Sequence, residues 1–523
     1  MAHRTLGPLL AVAGLAASGT LLDAQSVSAA RRAAETIVAS GVHDRIAVIA
    51  DDSMRGRATP SPELDEVAAY IAGQFRSFGL RPGGDSGSFI QRYAIRQLSV
   101  DTASFVMAMG RGAHSHWLLG RDAFLAFGQP PATPVTAPVV LVAGVPADTA
   151  KPFGDTPLAG TIVIQVVSAQ FLGNNLIPLI TKAVAGGVQA WIAVTNIPGP
   201  RFAELARASL GTQYEIAGET DRGFLPISIY IVRDSAATEV LRAAGEDVTA
   251  LLAPTAARGV RALPGFTATI DVRRSVVSTS SAPNTIGVLE GSDPQLKDEY
   301  VLFTGHMDHI GVPGSGEGCA PVAADSICNG ADDDGSGAIG VVELAEAFSR
   351  LTPRPRRSLV FMTVSGEERG LWGSSYYASH PEFPLAATVA DLNTDMIGRN
   401  PADGVMAIGK EHSSLGALVD SIAARHPELR IRTIGDTMPQ ERLFFRSDHY
   451  NFARKGVPIL FFTTGLHADY HRPTDSVEKI DAEQEARILR LVFYLGLDVA
   501  NGTARPTWNP ESRRQIVEAA GQQ

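Results

Sequence analysis

Tyr300-Val301-Leu302-Phe303-Thr304-Gly305-His306-Met307-Asp308 is the stretch from which the fold can be read. It opens on a short unbroken apolar run and closes on residues able to do chemistry. Alternate side chains of a strand point to opposite faces, so an unbroken run predicts a strand covered on both sides. Three further runs in the same half, 359–364, 388–392 and 459–462, have the same character. Between them the spacing turns helical: Ala338, Val341, Val342, Ala345 and Phe348 recur at three and four residues, and Pro353 stops that helix. Strands alternating with helices predict an α/β fold, a mostly parallel central sheet sandwiched by helices. In such sheets ligands bind beyond the carboxyl ends of the strands.

Outward from this half, Ser61-Pro62-Glu63 has the chemistry of a helix start, Ser at the cap and Pro in the first turn. Leu64, Val67, Ala68, Ile71 and Phe75 then form one apolar face, and Gly79 closes the helix. A Pro/Thr-rich stretch at 129–138 and a second break near Leu263-Pro264-Gly265 enclose short apolar runs at 139–143, 161–167 and 191–195, with one helical stretch near 180–185. No His/Asp/Glu cluster accompanies them. The segment 131–264 is therefore expected to be a smaller α/β accessory domain, inserted into a larger domain formed by 25–130 and 265–505, with 506–523 as a C-terminal tail.

The chain of 523 residues is long enough for such a division, and 45% hydrophobic with 19% charged residues is an ordinary globular mixture. A net charge of −10 argues against a nucleic-acid binder. Two cysteines are too few for a disulfide scaffold or a thiolate zinc finger. At the N-terminus, His3 and Arg4 precede an apolar stretch at 6–22 that ends near Ala24, the pattern of a secretory signal peptide over 1–24. Pro8 and three glycines weaken the rival reading as a spanning anchor. No later segment has the ~20 apolar residues of a membrane span. Export to the periplasm or the medium, without stable membrane insertion, is the expectation.

The polar residues of the C-terminal half gather at the predicted strand ends. The first run leads to His306 and Asp308, and the loop before the next helix reads Ala331-Asp332-Asp333-Asp334-Gly335-Ser336-Gly337. The second run leads to Gly366-Glu367-Glu368, the third to Thr394-Asp395, and the fourth to Tyr470-His471-Arg472-Pro473-Thr474-Asp475. Alone, a histidine at a strand end is a structural residue, an Asp run a solvated turn, and a Glu pair a helix cap. Together on one edge, two histidines and three carboxylates suit divalent ions, zinc above all. Two metals sharing one carboxylate keep open positions for water and substrate, and an acid beside a metal-bound one can take the water's proton. Asp308 lies two residues past His306, where a strand repeat returns to the same face, and is placed to orient that imidazole.

In these motifs, H-x-D, A-D-D-D-G-S-G, G-E-E, T-D-M and Y-H-x-x-x-D in that order, the chain resembles the co-catalytic di-zinc exopeptidases that include bacterial leucyl aminopeptidases and glutamate carboxypeptidase. The resemblance covers roughly 40–130 and 265–500, and the insert resembles the protease-associated domain of several members. It implies two zinc ions bridged by Asp333, with His306 and Asp395 completing one ligand set and Glu368 and His471 the other. It implies Glu367 as general base and acid, Tyr470 as a support for the oxyanion, and a cis peptide between Asp333 and Asp334. The loop between His306 and Asp333 is longer than in the simplest members and holds Cys319 and Cys328. Export, an even count and short separation predict that these two are disulfide-linked.

The expected activity is zinc-dependent hydrolysis at the ends of peptides, with aminopeptidase favoured over carboxypeptidase. Remoter alternatives are a glutaminyl cyclase-like transferase and a non-catalytic receptor ectodomain. The complete five-ligand set argues against both. An EF-hand fits Asp332, Asp334, Ser336, Gly337 and Glu343 by position, but Pro321 and Gly330 leave no entering helix. No G-x-S-x-G supports a serine hydrolase. The oligomeric state is not legible from the sequence.

Overall fold

The computed structural model describes residues 28–518 except 102–105, 129, 132, 173–175, 212, 220–226, 254–258, 316–317 and 401–402. The segment 1–24, read above as a signal, lies outside the described residues. The chain divides into two compact units, Met1–Ala94 with Ser281–Gln523, and Ile95–Ser280.

In the first unit, helix α1 (Pro62–Ser77) starts as its sequence directs: Ser61 Oγ accepts from the Leu64 amide at 3.0 Å, and Pro62 takes the first turn. Strands β1 (Ile90–Val100) and β2 (Arg274–Leu289) carry the chain toward and from the second unit. Then follow β3 (Tyr300–His306), α2 (Gly337–Ser349), β4 (Ser358–Val364), β5 (Thr388–Thr394), β6 (Gly404–Ile408), β7 (Arg432–Ile434), β8 (Ile459–Thr463) and α3 (Ala482–Asn501). The strand order is β7-β6-β8-β5-β3-β4-β2-β1. Four central strands, β8, β5, β3 and β4, run parallel, whereas β2 is antiparallel to β4 and β6 to β8. The chain leaves β5 at Thr394 and enters β6 at Gly404. The nine residues between them are too few to carry the chain back to the starting end of the strands, as a parallel crossover requires, so β6 runs antiparallel.

The unbroken apolar runs behave as strand periodicity requires. Val301 and Phe303 on β3, with Leu359 and Phe361 on β4, join the core under α1, α2 and α3. Leu302, Val360 and Met362 join a separate core on the other face. Each large apolar side chain so buried contributes roughly 1.5–3 kcal/mol. α3 is capped by Asp481, whose carboxylate accepts from the Gln484 amide at 3.0 Å, and it packs against α2 and β3. Within the tail, residues 506–518 are described and belong to the first unit, where Trp508 Nε1 donates to the Gly456 carbonyl at 2.8 Å.

The second unit is itself an α/β sheet of eight strands. Val135–Ala143, Ile162–Val166, Ala190–Thr195 and Ser228–Arg233 run parallel through its centre. Its two faces hold separate cores, Ile164 and Ile192 on one, Val163 and Trp191 on the other. This unit is wider than the 131–264 insert read from the sequence. Val106–Arg111 pairs with Gly259–Asp271, and Ala123–Phe127 pairs with Ser228–Arg233, so strands on the far side of the Pro/Thr stretch bond into this sheet. That stretch lies inside the unit rather than at its border, and from Val135 onward it is the start of a strand of this sheet.

Candidate metal centre

Parallel register brings the polar residues of the first unit to one edge. His306, the last residue of β3, lies opposite Val364 of β4, and Thr304 opposite Asn393 of β5. Glu367 and Glu368 therefore emerge beyond β4, and Asp395 beyond β5, level with His306. Asp333 is presented by the turn that feeds α2, and its peptide bond to Asp334 is cis. His471 arrives from the segment after β8, on a residue with φ of +57°.

Two groups of donors share Asp333. His306 Nε2 lies 3.4 Å from Asp333 Oδ1 and 3.8 Å from Asp395 Oδ2. His471 Nε2 lies 3.3 Å from Asp333 Oδ2 and 3.0 Å from Glu368 Oε2. Donors bound to one zinc at ~2.0–2.1 Å in a tetrahedron stand ~3.4 Å apart, so these separations fit a shared ion. Asp333 Oδ2, Glu368 Oε1 and His471 Nε2 are buried without a well-formed hydrogen bond. Buried polar atoms left so are costly unless a cation satisfies them, and the residues present fit a pair of divalent ions.

The electrostatics agree with such a donor set. Burial pulls the His306 imidazole down, but Glu367 and Asp334 outweigh it and hold the pKa well above the ordinary value. Burial likewise opposes protonation of His471, yet Asp333 and Glu368 raise it to about 10. These imidazoles sit in a strongly negative field of the kind that attracts a cation. Glu367 Oε2 lies 3.9 Å from His306 Nε2, and burial, reinforced by Glu368, pushes its carboxyl well above the carboxylate range. Glu368, in contact with His309 and His471, is drawn the other way, to about 2, although burial and Asp333 oppose that.

Supporting residues fix these groups. Asp308 accepts from Thr59 Oγ1 at 2.8 Å, from the Gly366 amide at 2.7 Å and from the Glu367 amide at 3.3 Å. Its carboxylate thus ties the His306 loop to the Glu367 loop; His306 Nδ1 is nearer its backbone oxygen, 3.2 Å, than its carboxylate, 3.6 Å. Asp334 accepts from the His306, Gly337 and Met396 amides, and Asp475 from the Asp332 and Asp333 amides. Arg57, fully buried, donates to the Met307 carbonyl at 2.8 Å and the Gly330 carbonyl at 2.6 Å, and also to that of Asn329. Sequence reasoning passed over Arg57, because no spacing signals an arginine whose partners are backbone carbonyls. It also passed over His309, which joins Asp333 and Glu368 in the second donor group. Its place directly after the H-x-D motif was the signal available.

Tyr470 stacks on His471 with ring centroids 3.9 Å apart, and its hydroxyl accepts from Arg446 Nη2 at 3.2 Å. It lines a cleft with His306, Asp333, Glu367 and Asp395, walled by Met396, Leu443, Phe461 and Leu466. Cys319 and Cys328, in the loop between His306 and Asp333, are joined as a disulfide.

Residues 284–496 match the model of Peptidase family M28. Leupeptin-inactivating enzyme 1 of Streptomyces exfoliatus is 31% identical over 217 residues, 41% of this chain and 42% of the relative. A "Probable zinc metalloprotease" of Pyricularia oryzae is 35% identical over 117 residues, 22% of this chain and 21% of that protein. The match thus spans less than half the length of these curated relatives. Among solved structures, an aminopeptidase from Aneurinibacillus sp. strain AM-1 superposes with a TM-score of 0.51 at 20% identity, covering 92% of this chain and 98% of that one. At that identity the likeness is one of fold. The resemblance to zinc exopeptidases and the α/β fold class expected from the sequence are both borne out by these matches.

Proposed function

We propose that this chain is an exported, zinc-dependent exopeptidase, an aminopeptidase acting on peptides through two zinc ions, with a protease-associated-like second unit. One observation carries the reading: two donor groups share the Asp333 carboxylate, and a further buried carboxyl, Glu367, stands beside them. Export is supported by the Cys319–Cys328 disulfide and by the leader-like sequence before residue 25. Among the described residues no helix is long and apolar enough to cross a membrane.

His306, Asp333 and Asp395 would hold one ion, and Asp333, Glu368 and His471 the other. Bound there, the zinc pair supplies Lewis acidity that polarises the scissile carbonyl and acidifies water. With cations bound beside it Glu367 would be held ionised against its burial, and its carboxylate would take the water's proton and return it to the leaving amine. Asp308 holds the Gly366 and Glu367 amides, so that the base keeps its place relative to His306. The Tyr470 hydroxyl accepts from Arg446 and keeps its own proton for the developing oxyanion; burial raises its pKa, so it stays protonated. Met396, Leu443, Phe461 and Leu466 exclude water and suit an apolar side chain next to the cleaved bond.

Carboxypeptidase action is the second reading, favoured by Arg446, which lines the same cleft and could pair with a terminal carboxylate. Turnover of N-blocked against C-blocked peptides separates the two. The mechanism is tested with Glu367→Gln and Glu368→Gln. Glu367→Gln should lose about 10²–10⁴-fold in kcat while keeping both metals. Glu368→Gln should lose zinc and recover in part at high zinc. Metal loss in Glu367→Gln with retention in Glu368→Gln would reverse the two roles.

A further inference from the structure

Beneath the metal edge a second polar system runs along the strands, on the sheet face that holds Leu302, Met362 and Phe461. Thr304 on β3 and Asp391 and Asn393 on β5 are fully buried, and Thr304 lies opposite Asn393 in the register. Thr304 Oγ1 stands 2.8 Å from Asp391 Oδ1 and 2.8 Å from Asn393 Oδ1. The Asn393 side-chain amide donates to Ser447 Oγ at 3.0 Å. Ser447, which lines the cleft, in turn hydrogen-bonds the Asp395 carboxylate.

The hydrogens available fix the direction of this chain. A hydroxyl has one hydrogen to give, yet Thr304 faces two oxygens. Were Asp391 ionised, Thr304 would donate to it, and Asn393 would have to turn its N–H toward Thr304 and its oxygen toward Ser447. The Ser447 hydroxyl would then point at Asn393, and Asp395 would lose its donor. Such an Asp391 would be a buried carboxylate with one hydrogen bond, because its Oδ2 makes no well-formed one. A bare charged oxygen is far costlier to bury than the carbonyl oxygen of a neutral acid. The surroundings favour the neutral form. Among the described residues, the titratable group acting on Asp391 is Asp448, a like charge, from the turn before the short helix His449–Ala453. His449 supplies no counter-charge, since burial draws its pKa down to about 3. Burial, with Asp448 behind it, outweighs Thr304 and lifts the Asp391 carboxyl to about 8.

We propose that Asp391 is a positioning residue for the first metal position: it carries a proton in the folded chain, and that proton sets the direction of the hydrogen bonds that end on Asp395. Asp391 donates to Thr304, Thr304 to Asn393, Asn393 to Ser447, and Ser447 to the carboxylate. The proposal rests on the reading of Asp395 as a ligand of the first ion. Carboxylates that bind metals are held by hydrogen bonds of this kind, and their loss weakens the ion. When Asp391 gives its proton to solvent, each hydroxyl still has one hydrogen but turns it the other way. The chain reverses, and Ser447 presents a lone pair to Asp395 in place of a hydrogen.

The test uses the full chain loaded with zinc and the variant Asp391→Asn, which keeps the shape and donates to Thr304 at every pH. Infrared difference spectra read the proton directly. At about pH 6 wild type should show the carbonyl stretch of a protonated carboxylic acid that the variant lacks, and the band should fade as pH rises through about 8. Chelator competition reads zinc affinity over the same range. Relative to Asp391→Asn, one of the two zinc ions of wild type should weaken by about 10-fold between about pH 7 and 9. In Ser447→Ala the same comparison, made with and without Asp391→Asn, should show no such fall, because the last link is gone. Absence of the acid band overturns the proposal. So does a relative affinity that stays level or rises with pH, a rise being what the bare charge of Asp391 would do for a cation. An equal fall in Ser447→Ala overturns the chain as the route. Wild-type protein that shows the acid band but binds no zinc overturns instead the reading of Asp395 as a ligand.

Discussion

The two units solve the same packing problem and end their strands differently. Each has parallel strands buried on both faces, β3 and β4 in the first, Ile162–Val166 and Ala190–Thr195 in the second. In the first, strand ends pass into His306, Glu367, Glu368 and Asp395. In the second they pass into Val167-Ser168 and Asn196-Ile197. Among the described residues, both donor groups of metal-binding type lie in the first unit. Strand sequence specifies the layers, and a few residues past each strand specify the chemistry.

The sharpest way to break this contrast is a matched pair of core truncations. Leu302→Ala and Ile192→Ala each remove a fully buried side chain from a central strand, at about 2–5 kcal/mol. Both should lower the melting transition of their own unit. Only Leu302→Ala should also reduce zinc retention, because β3 carries His306. Zinc loss in Ile192→Ala, measured on folded protein by elemental analysis, would show that the units are not separable in this sense.

The disulfide offers a smaller contrast. Its cysteines are nine apart in sequence and lie in the first unit alone. Replacing both with serine should destabilise that unit by about 2.5–3 kcal/mol on the chain-entropy account, seen as a shift in its denaturant midpoint. An equal shift in the transition of the second unit would count against it.

The smallest effect concerns charge inside the sheets. Burial raises the Asp391 carboxyl on β5 to about 8, even though Thr304 Oγ1 donates to it at 2.8 Å. The polar side chains inside the second sheet, such as Gln165 and Thr195, carry no charge. A folded pKa raised above the unfolded value gives stability that is full below about pH 4 and lost as pH rises through about 8. Asp391→Asn cannot lose a proton. Its advantage over wild type should grow by about 1 kcal/mol per pH unit between pH 5 and 7. Parallel stability curves for the two proteins over that range would refute the assignment.

The layers were legible because burial on both faces writes itself as unbroken apolar runs, as at 300–303 and 359–364. Four of the five proposed ligands were legible because each lies just past such a run or in the Asp-rich turn before α2, whereas His471, farther beyond β8, was legible only through the Y-H-x-x-x-D motif. The border at 95 was not legible: Val106–Arg111 is a short antiparallel strand near the rim of its sheet, and nothing in its residues says which sheet it joins. Arg57 and His309 were hidden for a different reason. Their partners are carbonyls and a carboxylate hundreds or tens of residues away, contacts that leave no periodic trace.

Arg57 also sets a timetable. A chain made N-terminus first releases this arginine long before Met307, Gly330 or Asp475 exists. At roughly 5–20 residues per second, the four hundred or so residues from Arg57 to Asp475 take about 20–80 s to appear. Until Gly330 emerges the guanidinium stays in water at no cost, and until Asp475 emerges the Asp332 and Asp333 amides lack the carboxylate that holds them. The ligands of the centre can meet only once nearly all of the first unit has been synthesised, so metal offered to the nascent chain finds scattered side chains and no assembled site.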